Sequence, residues 1–194
     1  MSGRTRRGRA PFRILKREVA YQGRVIRVVR EVIDAAGHEV VRDTIEHPGS
    51  VVIVPQLPDG RLVFIRQYRR AVGGYLLELP AGTVTPGEPR LRCAKRELEE
   101  ETGWRAARWK RLGQFYPAPG FLAEFMTIFL ATGLSPGPSR PEPDELIEPV
   151  TLSLPMALAK IRSGAICDAK SILGALFVAR LSSEEPLDGL RKFR

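Results

Sequence analysis

The sequence predicts an α/β fold on three observations. Short β-branched runs dominate the first 80 residues, one sharply punctuated helix follows between Pro89 and Gly103, and two further helical stretches close the chain. VIRVVREVIDAAGHEVVRDTIEH reads as strands broken by a turn at Ala36 and Gly37, and SVVIVPQLPDGRLVFIRQYR as a hairpin turning at Pro58, Asp59 and Gly60. Pro80, Gly82, Pro86 and Gly87 then interrupt the strand pattern. Pro89 suits the first turn of a helix that runs to about Glu101 and stops at Gly103. WKRLGQFY and EFMTIFLATGL read as strands, whereas SPGPSRPEPDE is too rich in proline to be regular. Long irregular loops of this kind often carry function. LPMALAKIRSG and AKSILGALFVARL place apolar residues at helical spacing, and no internal repeat is visible.

The length of 194 residues allows one substantial core. The division read from the sequence is a basic flexible tail over residues 1–17, an N-terminal β region over 18–48, a main domain over 49–182 and a C-terminal tail over 183–194. With 43% hydrophobic and 27% charged residues the composition is that of a soluble globular protein, and no apolar run reaches membrane-spanning length. The net charge of +9 is concentrated at one end. Arg4, Arg6, Arg7, Arg9, Arg13, Lys16 and Arg17 lie in the first 17 residues with no acid among them, leaving 24 basic residues against 22 acidic ones. The body is therefore nearly neutral, and the tail reads as a solvated arm, with an RNA-binding arm or a targeting segment as the other readings. Cys93 and Cys167 have no metal-ligand spacing, which points to reduced packing thiols and a cytoplasmic protein.

Within the predicted helix, Leu91, Ala94 and Leu98 cluster on one side, and Glu97, Glu100 and Glu101 form an adjacent stripe. Like charges at this spacing repel, and the negative end of the helix dipole lies close by. A solvated face with Lys95 and Arg96 as local partners is one reading. A cation-binding face is the other, and the constrained loop before the helix and its sharp stop favour it. Hard divalent cations such as Mg²⁺ take carboxylate and carbonyl oxygens and commonly sit beside phosphates.

The segment from Gly82 to Trp104 resembles the Nudix hydrolase signature. Gly82, Glu88, Arg96, Glu97, Leu98, Glu100, Glu101, Gly103 and Trp104 match it at nine positions over 23 residues. The resemblance implies an α/β/α sandwich around a mixed sheet, with the loop–helix–loop holding Mg²⁺, or Mn²⁺ as a substitute, against a diphosphate. It implies Glu97 and Glu101 as principal metal ligands, Glu100 and the Ala81 carbonyl as further ones, a bracing contact between Glu88 and Arg96, and a solvated Glu99. The implied reaction is hydrolysis of a nucleoside diphosphate linked to another group.

REVIDAAGHEVVRDTIEHPGSVVIVP, RQYR, LLELPAG, YPAPGF and DAKSILGALF resemble the ADP-ribose pyrophosphatase branch over most of residues 20–180. That branch implies a homodimer in which the N-terminal strands complete the partner's site. Arg69 would contact phosphates, Arg42 and Asp43 would reach in from the second subunit, Arg24 would stack on the adenine, and Glu124 would lie near the terminal ribose. Where the branch reads SPGFSDE this chain reads APGFLAE, so Leu122 and Ala123 replace polar groups. His38 and His47 read as surface residues. The branch's general base is a glutamate in a run like EDE, any residue, IE. Aligned on Ile147, Pro143 stands at its position, leaving Glu145 or, one residue earlier, Glu142 as the base. The expected activity is Mg²⁺-dependent hydrolysis of ADP-ribose to AMP and ribose 5-phosphate. The alternatives are another nucleoside diphosphate sugar or dinucleotide and, in a different class, a nucleic-acid-binding protein using the basic arm.

Overall fold

The computed structural model describes residues 12–137 and 146–182. They fall into two units, one holding the residues up to Gly49 together with Tyr116–Phe125, the other holding Ser50–Phe115 and the residues from Met126 onward.

The first unit carries an antiparallel sheet of β1 (Arg13–Gln22), β2 (Arg27–Ala35) and β3 (His38–Glu46), in that order. Ala36 and Gly37 both take positive φ, 56° and 86°, as a tight turn matched to strand twist requires. Arg13, Lys16 and Arg17, read from the sequence as part of a flexible tail, lie in β1 instead. The neighbouring strands supply the acids that hold Arg17: its Nε lies 3.1 Å from Glu31 and its Nη2 2.5 Å from Glu46. The Pro119 turn belongs to this unit, where the Ile45 N–H donates to the Phe121 carbonyl at 2.7 Å and the Ala123 N–H to the Ile45 carbonyl at 2.8 Å.

The second unit is a mixed sheet between helices. Its elements are β4 (Ser50–Gln56), β5 (Leu62–Arg69), β6 (Gly74–Glu78), β7 (Ala81–Thr83), α1 (Arg90–Thr102), β8 (Trp104–Phe115), β9 (Met126–Pro136), β10 (Ile147–Leu152), α2 (Leu154–Arg162) and α3 (Ala169–Ser182). The strand order is β10-β5-β4-β9-β8, with β4 parallel to β9. Successive residues of β4 point to opposite faces. Val51 and Ile53 therefore pack with Cys93, Ala94 and Leu98 of α1, while Val52 and Val54 pack with Ala157 of α2, with Val178 of α3 and with Ile166 between those two helices. Burial on both faces explains the unbroken apolar run VVIV, and the arrangement is an α/β/α sandwich.

The predicted hairpin at residues 50–69 forms its turn, with the Leu57 N–H donating to the Arg61 carbonyl at 2.8 Å, but its two strands pair only at Gln56 and Leu62. Beyond that point β6 and β7 enter between them, β6 along β5 and β7 along β4. The inner edge of each strand is thus satisfied by a different partner. This fork brings Glu78, Ala81 and Gly82 to the middle of the sheet.

α1 starts after Pro89 and stops at Gly103, whose φ of 69° is left-handed and whose N–H donates to the Glu99 carbonyl at 2.9 Å. Its packed side differs from the expected one. Leu91 is exposed, and Cys93 takes its place beside Ala94 and Leu98.

Candidate active site

The site grows from the contact between the fork and α1. The Pro80 carbonyl accepts from the Ile53 N–H at 2.8 Å, and the Ala81 N–H donates to Glu101 Oε2 at 3.0 Å. Glu101 is only 2% exposed, so the acidic stripe is not the uniformly polar surface its sequence suggests. Gly82 needs no left-handed backbone. Its role is space, since a Cβ there would stand 1.9 Å from Glu97 Cδ.

Arg96 gathers the remaining carboxylates. Its Nη1 lies 2.8 Å from Glu97 Oε1 and 2.8 Å from Glu100 Oε2, while its Nε and Nη2 donate to Glu88 at 3.4 and 3.3 Å. Burial works against the Arg96 charge, but Glu88, Glu97 and Glu100 outweigh it and hold the guanidinium more firmly protonated than usual. The Glu88 carboxyl is likewise held below its ordinary range: burial opposes this and is overcome by Arg96 and the Thr85 N–H. Burial and then the Glu97 charge push the Cys93 thiol up to about 12, which leaves it an inert packing residue. Glu99 is not simply solvated, because both its oxygens pair with Arg105 at 2.7 Å.

Glu97, Glu100, Glu101 and the Ala81 carbonyl offer oxygen atoms of the kind a hard divalent cation takes. The missing Cβ at Gly82 gives Glu97 room to lie against the chain at that residue. In the described arrangement no three His, Cys, Asp or Glu side chains converge on one point as ligands. The physical reason is visible: Arg96 holds Glu97 and Glu100, and Glu101 is turned to the Ala81 N–H.

Arg69, at the end of β5, is gripped by Glu78, with Nε 2.9 Å and Nη2 2.7 Å from its two oxygens. Glu78 is 1% exposed and also pairs with Lys170, which contacts Asp168 at 2.8 Å. Burial pushes the Glu78 carboxyl up, yet Arg69 and Lys170 together hold it below its ordinary range. Arg69 is made more basic chiefly by Glu78, with Glu101 and Asp168 adding to the field. Sequence reading missed Glu78, Asp168 and Lys170. The available signals were a lone carboxylate inside the apolar run LLELP and the charges of DAKS.

Arg24, Arg42, Asp43 and Glu124 belong to the first unit. Arg24 is exposed in the turn after β1. Asp43 forms a fork with Arg30 at 2.9 and 3.0 Å, which keeps its carboxyl below the usual range, and Arg42 Nη1 donates to the Val41 carbonyl at 3.0 Å. Glu124 Oε1 lies 3.8 Å from His47 Nδ1. His47 is a correction, since its side chain is only 9% accessible and its Nδ1 accepts from the Gly49 N–H at 3.0 Å. His38 is exposed, as expected. Glu142 and Glu145 lie outside the described residues.

Residues 46–170 match the NUDIX domain family. The chain belongs to the Nudix family. Among its Nudix relatives it is 32% identical to the ADP-ribose pyrophosphatase of Bacillus subtilis (strain 168) over 160 residues, 81% of this chain and 86% of that protein. It is 34% identical to the ADP-ribose pyrophosphatase of Mycobacterium tuberculosis (strain ATCC 25618 / H37Rv) over 186 residues, 91% of this chain and 89% of that one. A crystal structure of an ADP compounds hydrolase superposes with a TM-score of 0.78 at 25% identity, covering 88% of this chain and 93% of that chain. Nudix enzymes generally use a divalent metal.

Proposed function

We propose that the protein hydrolyses ADP-ribose to AMP and ribose 5-phosphate with Mg²⁺, Mn²⁺ being a substitute. The observation that carries this reading is similarity along 81% and 91% of the chain to two proteins named ADP-ribose pyrophosphatase. Water adds to one phosphorus of the diphosphate, and the bond from that phosphorus to the bridging oxygen breaks. The water's proton passes to a carboxylate. Mg²⁺, when bound, polarises phosphoryl oxygens and acidifies water. Glu97 and Glu101, with Glu100 and the Ala81 carbonyl, would hold it. Arg69 would meet the diphosphate, for which a guanidinium fork is well shaped.

In the same reading the protein is a cytoplasmic homodimer, in which Arg42 and Asp43 of a second copy complete the site, Arg24 stacks on the adenine and Glu124 lies near the terminal ribose. Leu122 and Ala123 offer that ribose no polar side chain, which favours a second reading: another nucleoside diphosphate sugar as the best substrate. A panel of ADP-ribose, other nucleoside diphosphate sugars and dinucleotides, assayed with Mg²⁺ by product identity, decides between them. ADP-ribose is expected to give the highest kcat/KM, with AMP and ribose 5-phosphate as products. A different sugar nucleotide preferred by more than about tenfold, or 1.4 kcal/mol in barrier, would replace it.

Glu145 is assigned as the base, with Glu142 the other candidate. A positioned base contributes about 10²- to 10⁴-fold. Glu145→Gln is therefore expected to lose at least about 10²-fold in kcat, and Glu142→Gln far less, with substrate affinity kept in both. Full activity in both variants would move the base to Glu100 or Glu124. β1 begins at Arg13, so removing residues 1–11 spares every described strand. That truncation is expected to leave kcat/KM unchanged and to weaken any salt-sensitive RNA binding. A large loss of hydrolysis would instead make the arm part of the enzyme.

A further inference from the structure

Four charged side chains, from β5, β6, α3 and the residue just before α3, meet at the mouth of the fork, and they differ in exposure. The side chain of Glu78 is 1% accessible, that of Lys170 10% and that of Asp168 19%, whereas that of Arg69 is 37% accessible. The contacts run in one direction. Asp168, just before α3, accepts from the Ser171 N–H at 3.1 Å and its hydroxyl at 2.6 Å, which fixes the carboxylate against the helix start. The same hydroxyl accepts from the Leu79 N–H at 2.6 Å, tying the residue after β6 to α3. Asp168 holds Lys170, Lys170 holds Glu78, and Glu78 grips Arg69 through Nε and Nη2.

Buried ions are poor structural pegs, because apolar side chains of similar volume join strands to a helix at least as well. What this cluster does achieve is to fix one guanidinium. Arg69 spends two of its five N–H groups on Glu78, and its side chain stays 37% accessible. A long side chain ordered in advance loses less freedom when it meets an anion.

We propose that Lys170, acting through Glu78, is a positioning residue that holds Arg69 as a preformed clamp for a phosphoryl oxygen of the substrate. The inference rests on the reading that Arg69 meets the diphosphate. It does not follow from that reading, since an arginine on a strand end needs no buried lysine to bind phosphate.

The test is a double-mutant cycle read by affinity. Calorimetry in EDTA, where turnover stops, gives Kd for ADP-ribose, and steady-state assays with Mg²⁺ give kcat and KM. Lys170→Gln is expected to raise Kd and KM by about tenfold with little change in kcat, and to add nothing further in an Arg69→Ala background. Asp168→Asn serves the same cycle if Lys170→Gln does not fold, with the same direction expected. A fall in Tm with Kd unchanged would reduce the cluster to a structural role and overturn the proposal. So would equal losses from Lys170→Gln with and without Arg69. If Arg69→Ala alone left Kd and KM unchanged, the phosphate-contact reading would fail and the proposal with it. If Arg69→Ala weakened binding and Lys170→Gln did not, only the proposal would fail.

Discussion

Glu101→Gln is expected to lower kcat for ADP-ribose by about 10³-fold while the protein stays folded, because a divalent cation is worth several kcal/mol and each 1.36 kcal/mol is tenfold in rate. The structure changes why the fold should survive. Glu101 is buried, so exposure does not protect the variant. What protects it is that a glutamine oxygen can still accept from the Ala81 N–H, now made to Glu101 Oε2 at 3.0 Å. The substitution removes the charge while keeping that acceptor. Rates at saturating Mg²⁺, with a thermal melt alongside, make the comparison. Wild-type turnover with an unchanged melt would remove Glu101 from the metal site.

Gly82→Ala separates activity from stability in a different way. The new Cβ would lie 1.9 Å from Glu97 Cδ, 2.0 Å from its Oε1 and 2.4 Å from its Cγ. Glu97 must swing aside, and a glutamate end can do so at a cost of about 1 kcal/mol, the low end for overpacking. Its oxygen cannot then keep its place against Gly82. A displacement of this size at a catalytic centre is expected to reduce kcat by about 10²-fold, against a Tm lowered by only a few degrees, roughly 2–4 °C per kcal/mol at this size. A Gly82→Ala enzyme with full activity would show that Glu97 does its work from another position.

How much of this was legible in the sequence depends on how local each signal is. Pro89 and Gly103 mark the ends of α1 because each acts on its own backbone, and both ends appear where they were read. β10 was missed because IEPVTL carries Pro149 and follows a proline-rich loop. As an edge strand it tolerates a residue with no N–H to donate. The exchange of Leu91 for Cys93 on the packed side shows that helical periodicity gives the spacing of an apolar face and not which residue lies at its centre. Within the cluster of Arg69, Glu78 and Lys170, the contact of Glu78 with Lys170 joins residues 92 positions apart, beyond the reach of any local pattern.

The order of the strands also sets an order of events during synthesis. Residues 50–56 find their parallel partner only when residues 126–132 exist, and residues 62–67 wait for residues 147–152. The two most apolar strands are thus made early and covered late, the circumstance in which a nascent chain exposes sticky edges and non-local pairing slows folding. A nascent chain that ends before Ile147 leaves one edge of β5 without its partner, so LVFI stays open on that side until translation has passed β10.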